Sequence, residues 1–370
     1  MSFPFDNQLF KILSGIIRSE KKEEEKEIKQ EEKDERLRDE RIRNEKKNTI
    51  KLKSMSTLPP FLTLDDNYEV LVLSGGGKKG IVQLGFLHCM YTNNKIDFSK
   101  IQAYIGTSVG SIISFLLIIN ILPVEILTCI CSTKLDLSMN FLDLVPNFGV
   151  VDSERLFNTI EQITIEKIGF IPTMSELYEL FEKEFICVTH NLSADPFENE
   201  SETVYIDRFS HSDLSCIEAI RMSSNIPLIF GKKVYDKNFY IDGACSDNYA
   251  VRFANEKFPD KKILGIYTGR NFTVIKDDKK PSLMDYLRCL LDISYRKNCA
   301  KSCKYFSENL HSVMMTICEG NDEWKFNHSP SNNFQLFSIG YKCGNQLINS
   351  QFTNIDIPMR DIEPIKEKVD

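Results

Sequence analysis

The chain lacks the marks of several large protein classes. Its 46 lysines and arginines are outnumbered by 53 aspartates and glutamates, for a formal charge of −7. The basic stripe of a nucleic-acid-binding protein is therefore missing, and no nucleic-acid partner is expected. The first residues, MSFPFDNQLFKILSG, do not have the basic opening and long apolar core of a secretory signal. The eleven cysteines are odd in number and scattered. Neither CICS at 129–132 nor CAKSC at 299–303 has histidines at zinc-ligand spacing. Reduced thiols in a cytoplasmic, non-secreted protein without a metal site are expected. There is no internal repeat, and no sustained a/d apolar seam that would make a coiled coil.

What is present is a globular composition, with 42% hydrophobic and 11% aromatic residues in a chain of 370. That is enough for one large domain or two ordinary ones. One run, AYIGTSVGSIISFLLIINIL from Ala103 to Leu122, is as long and apolar as a membrane-spanning helix. It holds a pair of glycines around Ser108, Pro123 closes it, and amphipathic sequence flanks it. A buried strand, a tight turn and a buried helix are the expected structure.

Three zones follow one another. Over residues 1–19, Phe5, Leu9, Ile12, Leu13, Ile16 and Ile17 recur at helical spacing, which predicts an amphipathic helix. Such a helix either docks on the rest of the protein or lies peripherally in a membrane interface. Residues 20–56 begin with acids and bases alternating at i,i+3 and i,i+4 distances, the pattern of a solvated helical spacer. It ends in the linker STLPP. A compact core is expected over 67–252, completed by strands and helices in 253–370. YEVLVLS and IQAYIG read as strands, each followed by a helix. This β-α-β-α order predicts a mostly parallel sheet with helices packed on it. EFICVTHNL, TVYIDRF, NFYIDGA and KKILGIYTG read as further strands.

Three motifs carry chemistry. SGGGKKG at 74–80 lies between the first strand and the first helix. It cannot be a phosphate-binding Walker loop, because Ile81 stands where Lys-Ser/Thr would be required. Gly75, Gly77 and Gly80 fit a dinucleotide fingerprint by letter, but the second strand does not end in the acid that grips a ribose. The remaining reading is a set of backbone amides aimed at an anion that forms during reaction, backed by a helix N-terminus. GTSVGS at 106–111 places Ser108 where the second strand turns into a helix, the context of a nucleophile elbow. Adjacent parallel strands would bring both turns to one sheet edge. For the activating group, His190, His211, His311 and His328 follow the serine in chain order, none in a distinctive setting. YIDGACSDN at 240–248 ends a strand in Asp242 among small residues, and that acid is the better candidate.

GGGKKG, GTSVGS and DGA, in this order and separation, resemble the three motifs of patatin-like phospholipases. RMSSNIPLIFGKKVYDKNFYIDGA is similar to the segment before the family's aspartate, and FQLFSIGYKCGNQLI at 334–348 to its closing helix. The resemblance spans Val70 to Ile348. It implies an α/β/α sandwich with a mostly parallel central sheet, here preceded by the N-terminal helical extension. It implies hydrolysis of phospholipid or other lipid acyl esters by a Ser-Asp dyad, with no histidine, metal or cofactor. Carried over by position, Ser108 matches the nucleophile and Asp242 the base. Gly75, Gly76, Gly77, Lys79 and Gly80 match the oxyanion loop, joined by the amide of Val109. Ala244 stands where the family often has glycine, and Cys245 and Ser246 replace bulkier apolar residues, departures that bear on substrate preference. A carboxylate can serve as base here only if desolvation raises its pKa. The rival readings are a nucleotide-binding protein built on Gly75–Gly80 and a catalytically idle membrane or interaction module of the same fold.

Overall fold

The computed structural model describes residues 49–52, 67–132, 148–198, 200–270, 283–317, 330–349 and 355–358. By contacts the chain divides into Met1–Thr49 and Ile50–Asp370. The amphipathic helix expected over 1–19 and most of the spacer expected over 20–56 lie outside the described residues.

In chain order the strands are β1 (Thr49–Leu52), β2 (Val70–Leu73), β3 (Ala103–Thr107), β4 (Gly149–Val151), β5 (Glu184–Asn191) and β6 (Thr203–Ile206). They continue as β7 (Leu228–Phe230), β8 (Lys233–Tyr235), β9 (Asn238–Asp242), β10 (Ile263–Arg270), β11 (Leu310–Ile317) and β12 (Ile355–Pro358). The helices are α1 (Gly80–Thr92), α2 (Val109–Ile118), α3 (Pro123–Ser132), α4 (Glu154–Ile168) and α5 (Met174–Phe181). They are followed by α6 (Cys216–Ser223), α7 (Val251–Lys257), α8 (Leu283–Ser302) and α9 (Pro330–Asn349).

The main sheet runs β12-β1-β11-β10-β2-β3-β5-β9-β8, with β6 also paired to β5. Its centre, β11-β10-β2-β3-β5, is parallel. The central strands are buried on both faces, the condition that gives parallel strands their continuous apolar runs. Val70, Val72, Ala103, Ile105, Ile186 and Val188 look to one side, where α7 contributes Val251 and Ala254. Leu71, Leu73, Tyr104, Phe185 and Cys187 look to the other, against Phe86 of α1 and Phe115 of α2. The period-2 alternation of one set of strands thus feeds two cores, an α/β/α sandwich. Each fully buried Leu, Ile, Val or Phe contributes about 1.5–3 kcal/mol to holding these layers together.

The spacer expected over 20–56 needs one correction. Thr49–Leu52 is a strand, with Ile50, Lys51 and Leu52 opposite Ile317, Thr316 and Met315 of β11. TIKL alternates and is β-branched at Thr49 and Ile50, which suits a pleated strand better than a helix. The apolar run from Ala103 to Leu122 is β3, a turn and α2, as expected. Among the described residues no single helix is long and apolar enough to cross a membrane, and α2 and α3 meet at a 118° bend. The ten cysteines of the described residues are free thiols.

Candidate active site

Register brings Ser108 and Asp242 together. Val188 of β5 pairs with Thr107 of β3 on one edge and Tyr205 of β6 on the other. One residue on, Thr189 pairs with Val204 of β6 and with Asp242 of β9. A strand has only two edges, so β3 and β9 must share the edge opposite β6. They run towards each other along it and meet between Val188 and Thr189. The carboxyl end of β3 carries Ser108 and the carboxyl end of β9 carries Asp242.

Ser108 occupies a strained turn, with φ 55° and ψ −126°. A non-glycine residue there costs on the order of 1–3 kcal/mol and persists only where its surroundings over-determine it. They do so here. Its N–H donates to Ser223 Oγ at 3.0 Å, and its carbonyl accepts Ser111 N–H at 2.9 Å and Ser111 Oγ–H at 2.6 Å. The flanking glycines leave the room: a Cβ on Gly110 would fall 2.3 Å from the Leu73 carbonyl oxygen.

Asp242 is 3% exposed. Its N–H donates to the Asn225 carbonyl at 2.8 Å, its Oδ1 accepts Ala244 N–H at 2.8 Å, and the nearby Ser108 hydroxyl favours its charged form. Burial pushes its pKa up to about 6, against the opposing pull of those two donors. The desolvated carboxylate that the sequence comparison calls for is thus in place. A Cβ on Gly243 would lie 2.2 Å from the Val188 carbonyl oxygen, so the Asp-Gly pair follows from how closely β9 meets β5.

The glycine turn lies at the carboxyl end of β2, beside β3. A Cβ on Gly75 would come 2.6 Å from Asn248 Oδ1 and 3.0 Å from Ser108 Cβ, so the turn packs tightly against both. The Gly75 amide, however, donates to the Asn248 carbonyl at 3.3 Å. Gly75 therefore makes room for Ser108 and its N–H is turned elsewhere, a correction to the expected donor set. The amides of Gly76 and Gly77 take no hydrogen-bond partner among the described residues. Gly77, at φ 55°, has the left-handed backbone that glycine tolerates best. Lys79 is buried within the turn. Gly80 opens α1 against the Val109 side chain, which fills the space a Cβ would need. Val109 is the first residue of α2, where amides have no intrahelical acceptor. Below the turn Gln83 Nε2 donates to the Ser74 carbonyl at 2.9 Å and to Thr268 Oγ1 at 3.1 Å, fixing where the glycines begin.

Beside Ser108 opens a cavity of 470 Å³. Gly77 and Val109 share its wall with Ser108, and the rest is mostly apolar, from Leu84 of α1 to Ile112 and Leu116 of α2 and Ile160 and Ile163 of α4.

The histidines stand elsewhere in the hydrogen-bond pattern. His311 bonds Tyr68 Oη at 2.5 Å and His211 bonds Ser210 Oγ at 2.9 Å. His190 pairs with Ile241, so it points to the sheet face opposite Asp242's. His328 lies outside the described residues. Reading the sequence passed over Ser223, Asn225 and Asn248, whose contacts appear only in the fold. The run of small polar residues before Pro227 is the one local signal for Ser223 and Asn225.

Residues 71–255, half of the chain, match the family described as patatin-like phospholipase. The protein belongs to that family. The family's stretch contains all the site turns described above, while β10, β11 and α9 of this patatin-like chain lie beyond it. A relative named "Probable lipid hydrolase", from Invertebrate iridescent virus 6, is 32% identical over 203 residues, 51% of this chain and 66% of the relative. The chain thus spans just under two thirds of that relative's length. An uncharacterized protein of Acanthamoeba polyphaga mimivirus is 25% identical over 305 residues, 80% of this chain and 98% of its own. Among solved structures, VipD from Legionella pneumophila has a TM-score of 0.47 at 14% identity, over 78% of this chain and 68% of VipD. The type III effector ExoU has a TM-score of 0.41 at 14% identity, over 79% and 55%.

Proposed function

We propose that this patatin-like protein is a lipid acyl hydrolase of phospholipase A type, working through Ser108 and Asp242. The observation that carries the reading is the strained serine at the end of β3, which meets the end of β9 and its buried carboxylate with a pKa raised to about 6.

In the mechanism, Asp242 takes the Ser108 proton as Oγ attacks the ester carbonyl. The amides of Gly76, Gly77 and Val109 hold the oxyanion of the tetrahedral intermediate. Each such donor typically lowers the barrier by about 2.7–4 kcal/mol. When the C–O bond to the alcohol breaks, the proton on Asp242 passes to the leaving oxygen and the acyl group stays on Ser108. Water, deprotonated by Asp242, then attacks the acyl-enzyme; the bond to Ser108 Oγ breaks, the proton passes from Asp242 back to Oγ, and the fatty acid leaves. A raised pKa is what makes the carboxylate useful, since a base works best with a pKa near the operating pH. The apolar cavity supplies the acyl site. Its mostly apolar walls and 470 Å³ suit a fatty-acyl chain. Contact with the lipid surface is assigned to the amphipathic stretch 1–19.

A fluorophosphonate probe, which reacts with activated serines, tests the reading. The wild-type chain should be labelled and should release fatty acid from mixed phospholipid vesicles, read by mass spectrometry. Ser108→Ala should do neither while melting as the wild type does. Labelling that survives in Ser108→Ala would sink the assignment.

A further inference from the structure

The end of α6 and the residues just after it touch both members of the dyad. Ser223 is fully buried, and its Oγ sits between two backbones: it accepts Ser108 N–H at 3.0 Å and donates to the Val188 carbonyl at 2.6 Å. Two residues on, the Asn225 carbonyl accepts Asp242 N–H at 2.8 Å, and Asn225 Nδ2 donates to the Tyr240 carbonyl at 2.8 Å. Between the strands themselves, Thr189 Oγ1 reaches the carbonyls of Met222 and Ile241, at 3.1 and 2.9 Å.

The place Ser223 fills is the next rung of a ladder. β3 and β5 pair in parallel up to Thr107 and Val188. Were β3 to continue, Ser108 would go on as a strand and its N–H would stay in the ladder. At φ 55° Ser108 leaves the strand, and the inserted hydroxyl takes up both groups that the break strands, the Ser108 N–H and the Val188 carbonyl. A hydroxyl has one hydrogen and two lone pairs. With its hydrogen committed to Val188, Ser223 can only accept from Ser108. The Ser108 amide is thereby held away from the oxyanion, which leaves that role to Gly76, Gly77 and Val109.

We infer that Ser223 is a positioning residue for the nucleophile: its hydroxyl replaces the broken rung between β3 and β5 and fixes the backbone of Ser108 so that Oγ faces Asp242. The inference rests on the dyad proposed above. A serine held only by its own turn has other backbone conformations open to it, all less strained. Losing Ser223 Oγ leaves a buried donor and a buried acceptor unpaired, and they are recovered most easily if β3 and β5 close up and Ser108 turns. Misplacement on the 1 Å scale is enough for a roughly hundredfold loss in rate. The loss should fall on kcat rather than KM, because the acyl cavity is lined by other residues.

The test uses the full chain, with active sites counted by fluorophosphonate titration and turnover measured on a soluble short-chain ester and on phospholipid vesicles. Ser223→Ala should lose roughly 10- to 100-fold in kcat per titrated site with KM unchanged, and its labelling should slow by the same factor. Ser223→Thr, which keeps the hydroxyl, should recover most of the rate. Thr164→Ala serves as a matched loss. Thr164 is fully buried on α4 with its hydroxyl on the Ile160 carbonyl at 2.7 Å. Its removal should lower the melting temperature without changing kcat per titrated site. If Ser223→Ala does not fold, Ser223→Cys, a poorer donor and acceptor of similar shape, should show the same kcat loss at smaller size. A wild-type kcat per titrated site in Ser223→Ala, or in Ser223→Cys where that variant stands in, overturns the inference while leaving the dyad standing. Labelling that survives in Ser108→Ala removes the dyad as well.

Discussion

Two cavities share Phe230 in their walls, one of 470 Å³ beside Ser108 and one of 560 Å³ beside Arg221. Size would favour the second. Its lining is polar, with Asp152, Glu154, Arg221, Lys232 and Lys233. Yet most of these charges already answer one another. Arg221 bonds Glu154 at 2.8 Å and Glu161 at 3.1 Å, and Lys233 pairs with Glu218. A ligand entering there would have to displace ion pairs that are already made. The smaller cavity has the opposite arrangement, apolar walls with Ser108 and the glycine turn among them. Chemistry belongs where polar groups are held in unusual states, and volume is a poor guide to that place. A strained serine and a desolvated carboxylate mark the candidate site.

The largest expected effect removes the carboxylate's basicity and keeps its shape. In Asp242→Asn the amide oxygen can still accept Ala244 N–H and the amide nitrogen can face Ser108 Oγ, but no proton can be taken. Turnover should fall roughly 10²–10⁴-fold. Stability should move the other way. Asp242 has its pKa raised from 3.8 to about 6, so the folded state binds a proton that the unfolded state gives up. That stabilisation is present below about pH 3.8 and lost as pH rises through about 6. At neutral pH the buried charge therefore costs about 3 kcal/mol, at 1.36 kcal/mol per unit. Asp242→Asn should melt higher than the wild type at pH 7, with the gap closing towards pH 4. The same pKa gives the wild-type enzyme an activity that falls as pH drops through about 6. A histidine base would give a similar limb, so variants separate the two mechanisms and a pH profile does not. His190→Ala, His211→Ala and His311→Ala should keep most of the activity; a dead one beside an active Asp242→Asn would overturn the dyad.

This pairing shows what the sequence could and could not convey. The serine elbow, the glycine turn and the aspartate were legible because each needs specific small residues within a few positions, a local demand that leaves a local trace. The parallel β2-β3 unit followed from the alternation of strands and helices. The head-on meeting of β3 and β9 on one edge of β5 was not legible, because it needs register between strands about 80 residues apart (β3 and β5) and about 50 apart (β5 and β9), which the whole sheet sets. Ser223 was invisible for the same reason. Gly75 misled: its letter fits an amide donor, while the fold turns that amide to Asn248. The strand at Thr49–Leu52 was hidden by the charged run before it, whose helical pattern has no visible end until the Pro-Pro linker.

An effect of intermediate size sharpens the contrast between the two cavities. Ile160 faces the apolar one, and Ile160→Trp adds bulk where an acyl chain would lie. Hydrolysis of a sixteen-carbon ester should fall at least about tenfold relative to a four-carbon ester, within the range by which apolar pockets discriminate chain length. Lys232 lines the polar cavity, its Nζ 5.5 Å from the centre of the Phe148 ring. Lys232→Ala should leave the ratio of the two rates within about twofold, as a surface change away from the chemistry does. A ratio that moves with Lys232 and not with Ile160 would exchange the roles of the two cavities.

The smallest effect concerns how lipid reaches the apolar cavity. A soluble ester can enter from water, whereas a vesicle lipid must leave a bilayer, so only the second should depend on a membrane-seeking segment. The apolar stripe from Phe5 to Ile17 is the candidate, because an amphipathic helix gains its membrane affinity from the apolar area it buries. The deletion has to stop at residue 48, since Thr49–Leu52 is part of the sheet and pairs with β11. Removing 1–48 should weaken vesicle flotation several-fold and leave kcat/KM for a soluble short-chain ester within about twofold, the scale of a change remote from the site. Replacing only residues 20–48 by a Gly/Ser linker of equal length should do less than removing 1–19, because a spacer contributes reach and no apolar area. If flotation is unchanged without residues 1–19, the stripe covers protein and not lipid, and the docking surface must lie within the core.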